Sequence, residues 1–134
     1  MAYEKPLPKV TPEDRVFWKA AKEGRFVLPR CLDCSHVWFP PYLSCPRCVS
    51  ARIEWTEASG RGVIWGRIEM HQAYLKSFAD AMPYNVVQIR LDEGPMIFSN
   101  VEGASWDDLA VGAPVEVVFD DVTDEIALPK FRLA

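Results

Sequence analysis

The segment CLDCSHVWFPPYLSCPRC, running from Cys31 to Cys48, holds all four cysteines of the chain in two Cys-x2-Cys pairs. A two-residue gap lets both sulfurs of a pair turn toward one point, and two such knuckles supply the four thiolates of a closed tetrahedral zinc site. A closed site leaves no coordination position for substrate. Zinc at Cys31, Cys34, Cys45 and Cys48 is therefore expected to hold a small lobe together rather than to act as a Lewis acid. The competing reading is a pair of disulfides. The opening residues Met1-Ala2-Tyr3-Glu4-Lys5-Pro6 form no apolar leader, which points to a reducing cytoplasm, and the short gaps suit one shared metal better than two tiny loops. Iron in the same sulfur cage is the alternative metal. Knuckles often place glycine after the second cysteine, where the backbone takes positive φ, yet Ser35 and Val49 stand there. A β-branched residue resists positive φ, so the second knuckle is expected to be strained or to turn differently. His36 is read as a bystander, since four cysteines complete the site.

The 134 residues are 49% hydrophobic, enough for a real core in one domain or two small ones. No apolar run approaches the ~20 residues of a spanning helix, and no basic amphipathic stretch suits a bilayer surface. The expectation is a soluble, cytoplasmic chain without a membrane partner. A formal net charge of −4 argues against a nucleic-acid partner, which calls for a basic patch.

N-terminal to the cysteines, Pro6 and Pro8 mark an extended arm. Thr11-Pro12-Glu13-Asp14 then reads as a helix start, with Thr11 as N-cap, proline at the first helical position and acids in the first turn; Gly24 closes the helix. Val16, Phe17, Trp18, Ala20 and Ala21 share one arc. That arc either packs on the domain or, through Phe17 and Trp18, faces another subunit. Around the cysteines, short strands at Phe26-Val27-Leu28 and Val37-Trp38-Phe39 complete a rubredoxin-like zinc ribbon over residues 25–53, with the N-terminal arm and helix in residues 1–24.

From residue 54 to 134 the pattern changes to strands. Gly60-Arg61-Gly62 opens the longest, in which Ile64, Gly66, Ile68 and Met70 are expected to face inward, with Gly66 at a sharp bend. Tyr84 to Leu91, Pro95 to Val101, Pro114 to Phe119 and Leu128 to Leu133 follow, and Ser105 caps a helical turn after the third strand. Five strands, a coiled first strand and a helix after the third give an OB-fold barrel. The fold class is thus mainly β: N-terminal helix, zinc ribbon, five-stranded barrel. The connection His71 to Pro83 is the longest loop. The acidic run Asp120, Asp121, Asp124 and Glu125 reads as a solvated turn between the last two strands.

Capped helix, four-cysteine ribbon and barrel in this order resemble the zinc-ribbon/OB-fold acyl-CoA-associated proteins, partners of thiolases, thiolase-like aldolases and related CoA enzymes. The matching residues are Thr11-Pro12-Glu13-Asp14 with Phe17-Trp18, the four cysteines with Trp38-Phe39-Pro40-Pro41, Ser59-Gly60-Arg61-Gly62, and Asp121-Val122-Thr123-Asp124 before Leu128-Pro129. Val49 departs from the family's usual glycine. The resemblance implies a non-catalytic accessory subunit that binds a thiolase-like enzyme and helps bind or channel its acyl-CoA substrate. Two histidines, no thiol left free by zinc, and no Gly-x-Ser-x-Gly elbow or phosphate-cradling glycine loop agree with an absence of catalytic residues; His71 near Tyr74 is the one acid/base candidate. Coenzyme A needs cations for its phosphates and an aromatic face for adenine. Arg61, Arg67, Lys76 and Arg90, with Trp65 and Tyr74, are the candidates. The alternative function is single-stranded nucleic-acid binding on the aromatics of an OB barrel.

Overall fold

The computed structural model describes residues 3–134; the first two residues of the expected arm lie outside the described residues. The arm from Tyr3 to Val10 has no regular secondary structure, and Lys5 places its ammonium 5.2 Å from the centre of the Phe78 ring. Helix α1 spans Arg15–Lys22, one turn later than its sequence signals suggest. The reason is that Asp14 turns its carboxylate back, accepting from the Thr11 N–H at 2.7 Å and the Thr11 hydroxyl at 3.0 Å. Thr11 to Asp14 therefore forms a closed turn, and Asp14 takes the N-cap place. The other end is as expected: Gly24 adopts φ +78°, and its N–H and that of Arg25 reach the Ala21 and Ala20 carbonyls.

Phe17, Ala20 and Ala21 are the buried stripe of α1, while Val16 stays exposed. Phe17 is only 2% exposed, held edge-on by Trp18 and Phe26 and tilted against Phe39. This corrects the partner-facing expectation for Phe17, whose ring is consumed by the protein's own core. Lys22 ties the helix to the far end of the chain, donating to Asp121 at 2.6 Å and to the Thr123 carbonyl at 2.7 Å.

Strand β1 (Val27–Cys31) pairs antiparallel with β2 (Ile53–Glu57). The ribbon's ladder thus runs four residues beyond the limit at residue 53. Val37-Trp38-Phe39 is not a strand; it contributes only a single bridge, Arg30 to Val37. Trp38 is nevertheless buried, because its indole fills the ribbon beside Cys31 and Cys45.

The remaining strands, β3 (Arg61–Met70), β4 (Tyr84–Leu91), β5 (Met96–Ser99), β6 (Pro114–Asp121) and β7 (Ala127–Leu133), form one antiparallel sheet in the order β5-β4-β3-β6-β7. The sheet curls into an OB-type half-barrel. Its two edges meet where Val101 bridges Phe131 and the Ser99 hydroxyl donates to the Pro129 carbonyl at 2.8 Å. Val87, Ile89 and Leu91 point into the core, as their alternation suggests, with Ile64, Ile97, Leu109, Val115 and Phe131. Phe17, Phe26 and Leu28 join the same cluster, so helix and ribbon are packed on the barrel by shared apolar burial. A short 3-10 turn at Trp106–Asp108 is capped reciprocally by Ser105 and Asp108. The loop after β3 contains a second one at Lys76–Ala81.

Of the inward set expected for β3, only Ile64 faces the core. Ile64 opposes Ile89, but the next pair is Gly66 with Gln88, so Trp65 and Gly66 share one partner residue. This bulge inverts the alternation: Arg67 and Glu69 now share the side of buried Val87, and Ile68 and Met70 turn outward. Ile68 is 54% exposed as a result. Gly62 is needed on other grounds, since a Cβ there would overlap the Arg90 carbonyl and approach Ile89 Cγ2 to 2.9 Å.

Candidate functional site

The four cysteine sulfurs lie within 4.8 Å of one another. The two knuckles repeat each other bond for bond. In the first, the Asp33 and Cys34 N–H groups donate to Cys31 Sγ at 3.3 and 3.4 Å; in the second, the Arg47 and Cys48 N–H groups donate to Cys45 Sγ at the same distances. Ser35 N–H reaches the Cys31 carbonyl and Val49 N–H the Cys45 carbonyl. Ser35 has φ +67° and Val49 φ +66°, so Val49 makes the same left-handed turn as its counterpart, at a steric cost of about 1–2 kcal/mol. Its side chain is 79% exposed, which leaves no neighbouring group to clash with. Across the centre, Asp33 accepts from the Ser50 hydroxyl and from Arg52 at 2.6 Å, and Leu32 N–H reaches the Arg52 carbonyl, locking one knuckle to the segment that leads from the other into β2.

The electrostatics suit a divalent cation. Burial pushes the Cys31 thiol up, but N–H donation from Cys34 and Asp33 and the thiols of Cys48 and Cys34 outweigh it, bringing it down to about 7. Cys45 is likewise lowered, burial being outweighed by N–H donation from Cys48 and Arg47. The second cysteine of each pair moves the other way. Cys48 has the Ser50 N–H favouring its thiolate, yet the neighbouring sulfurs, Cys31 foremost, push it up to about 12. Cys34 is raised despite the His36 N–H, by burial and by Cys45. The first sulfur of each pair is thus the readier thiolate, a tetrahedral Zn2+ would displace the protons that remain, and the donor set, its closeness and its N–H···S bonds fit a structural zinc. His36 stacks on Trp38 with ring centres 6.0 Å apart and takes no part in the cluster.

The chain is similar to known proteins along most of its length. Residues 18–54 match the ChsH2 rubredoxin-like zinc ribbon domain and residues 55–120 the ChsH2 C-terminal OB-fold domain. A "DUF35 domain-containing scaffold protein" of Methanocaldococcus jannaschii is 32% identical over 110 residues, which are 81% of this chain and 77% of that protein. The chain belongs to the DUF35 family. A second relative, a "Probable enoyl-CoA hydratase alpha subunit" of Thermomonospora curvata, is 32% identical over 130 residues. That match takes in 97% of this chain but only 40% of the relative's length. Among solved structures, a chain of the "Ltp2-ChsH2(DUF35) aldolase" superposes with a TM-score of 0.84 at 31% identity, covering 95% of this chain and 98% of that one.

Within this DUF35 protein, the six residues singled out for acyl-CoA do not form one site. Arg90 lies over Trp65, 5.5 Å from guanidinium carbon to ring centre, on the outer side of the sheet. Arg67 is on the inner side, 4.2 Å over Trp106 and donating to the Trp106 carbonyl at 2.9 Å. Tyr74 and Lys76 are exposed on the loop after β3, and Arg61 starts that strand at its far end. Periodicity alone could not separate Arg67 from Trp65, because the bulge between them is invisible in composition. Sequence reasoning also missed a pocket of about 630 Å³ at the barrel mouth, lined by Phe78, Tyr84, Trp106 and Lys130 among others. Lys130 is held there between Glu102 at 3.1 Å and Asp120 at 3.3 Å. The clue was a lysine within the apolar last strand. Asp120 and Asp121 belong to β6 rather than to the expected turn, paired with Leu128 and Ala127 and engaged by Lys130 and Lys22; only Asp124 and Glu125 of the acidic run lie between β6 and β7.

No helix among the described residues is long and apolar enough to cross a membrane.

Proposed function

We propose that the chain is a non-catalytic accessory subunit that binds a thiolase-like enzyme and helps hold or pass that enzyme's acyl-CoA substrate. The observation that carries this reading is the superposition on nearly the whole ChsH2(DUF35) chain of an aldolase assembly. The disposition of reactive groups supports it. His71 is exposed and sits 2.8 Å from Glu69, His36 is stacked on Trp38, and the four thiols are gathered for a metal, so neither histidine activates a hydroxyl or thiol among the described residues. Substrate contact is assigned to the barrel mouth, where Arg67 is fixed over Trp106 beside the pocket, with Lys76 and Tyr74 on the neighbouring loop. Removing the charges of Arg67 and Lys76 together is expected to raise the KM of the assembled complex for acyl-CoA; an unchanged KM removes this assignment.

The test of the main reading is co-expression of the tagged chain with each thiolase-like protein of its own organism. One of them is expected to co-purify at fixed stoichiometry through size exclusion, and zinc chelation is expected to end the association. Failure of all of them to associate contradicts the reading.

A further inference from the structure

Strands β3, β4 and β5 turn one side to the core and the other to solvent. The register assigns the outer side: Phe98 opposes Gln88, which opposes the bulged Trp65-Gly66, while Val86 opposes Ile68, and all are out of phase with buried Val87 and Ile89. The result is a broad apolar surface with Phe98 71%, Ile68 54% and Trp65 52% exposed. Much of it is produced by the bulge. Had β3 kept the alternation set by Gly62 and Ile64, Ile68 would face the core; the extra residue turns it to the same outer side as Trp65. Large side chains gathered on one side of adjacent strands, rather than scattered singly, mark an interaction surface.

The charges on this side are one-signed. The outward positions of these three strands carry neither carboxylate nor lysine, and their only charges are Arg61 and Arg90, in a chain with 19 acidic and 15 basic residues. Neither arginine forms an ion pair among the described residues, so both charges are left for a partner to meet. Arg90 lies over the Trp65 ring, 5.5 Å from its centre. Tryptophan, phenylalanine and arginine without lysine or acid is the composition of a protein–protein contact centre. A second copy of this chain would bring no carboxylate to meet the two arginines, so charge complementarity points to a different partner.

We propose that the outer face of β3, β4 and β5, centred on Trp65, Ile68 and Phe98, docks an apolar, carboxylate-bordered patch of the thiolase-like subunit. This rests on the accessory-subunit reading and reassigns Trp65 and Arg90 from substrate to partner.

The experiment uses the full chain and the thiolase-like protein that co-purifies with it. Binding is measured by interferometry for the wild type, for Phe98→Glu and Arg90→Glu, and for Val111→Glu on an exposed loop outside this face. Equal zinc content and unchanged thermal unfolding certify that the variants fold. Both face variants are expected to weaken binding by about tenfold or more, and Val111→Glu to leave it unchanged. Wild-type affinity in both face variants overturns the inference while the accessory reading stands. If the wild type binds no thiolase-like protein, reading and inference fall together. Binding of an oligothymidine by the wild type, lost in Phe98→Glu, overturns the inference in favour of a nucleic-acid face.

Discussion

The ribbon and the barrel reach order by different means. The barrel buries a continuous cluster that includes Ile64, Ile89, Leu91 and Phe131, whereas the ribbon's own buried cluster is Cys31, Trp38 and Cys45. Two of those three are metal ligands. Apolar burial at roughly 25 cal/mol per Å² stabilises the first without help, while so small a lobe depends on metal binding for its fold. The two halves are joined by Phe17, Phe26 and Leu28, which belong to the helix and ribbon by sequence but to the barrel by packing.

The sharpest way to break this comparison is to remove the metal. Cys45→Ser, or chelation, forfeits a zinc-binding free energy of about 10 kcal/mol or more. Hydrogen exchange is expected to show residues 31–50 losing protection while the amides of Val87, Ile89 and Leu91 in β4 keep theirs. Collapse of both regions together would mean that the barrel too depends on the clamp.

The reverse change is Phe131→Ala, which opens a cavity at the closure of the half-barrel, where the ring is fully buried. It is expected to cost about 3–5 kcal/mol in chemical denaturation, with zinc still bound. Gly62→Ala comes next, at about 1–3 kcal/mol, because its methyl group meets the Arg90 carbonyl rather than a flexible side chain. In the ribbon, Val49→Gly is expected to stabilise by about 1 kcal/mol by relieving the left-handed turn, read as a higher midpoint for chelator-induced unfolding. No gain there would mean that the strain at φ +66° is carried without cost.

The smallest effect concerns Lys130. Burial disfavours its ammonium, but the hydrogen bond and charge of Glu102 and the charge of Asp120 prevail and raise its pKa above the ordinary 10.5. The folded state therefore gains stability from the charged form at pH values below 10.5, and loses it as pH rises through the raised folded value. Lys130→Met is expected to flatten that alkaline decline, with a change below about 1 kcal/mol at neutral pH because both carboxylates are half in water.

These contrasts also explain what the sequence made legible. The cysteine spacing located the ribbon because metal chemistry fixes it, and β4 was readable from end to end because Val87, Ile89 and Leu91 alternate without interruption. The ribbon's second strand was misplaced onto Val37-Trp38-Phe39, since aromatic β-formers there are buried by the lobe's core and not by a ladder. The outer half of β3 was inverted because one bulged residue shifts every later side chain, a change that period-2 reading cannot detect. Phe17 and Trp18 looked alike in sequence, yet three aromatic partners take up Phe17, and Trp18 is only half buried.

The central claim, an accessory subunit without catalysis of its own, is tested most directly by acyl-CoA turnover in a three-way comparison: zinc-loaded chain alone, thiolase-like subunit alone, and the reconstituted complex. Turnover is predicted only or predominantly in the complex and none in the chain alone; hydrolysis or cleavage of an acyl-CoA by the isolated chain would contradict it.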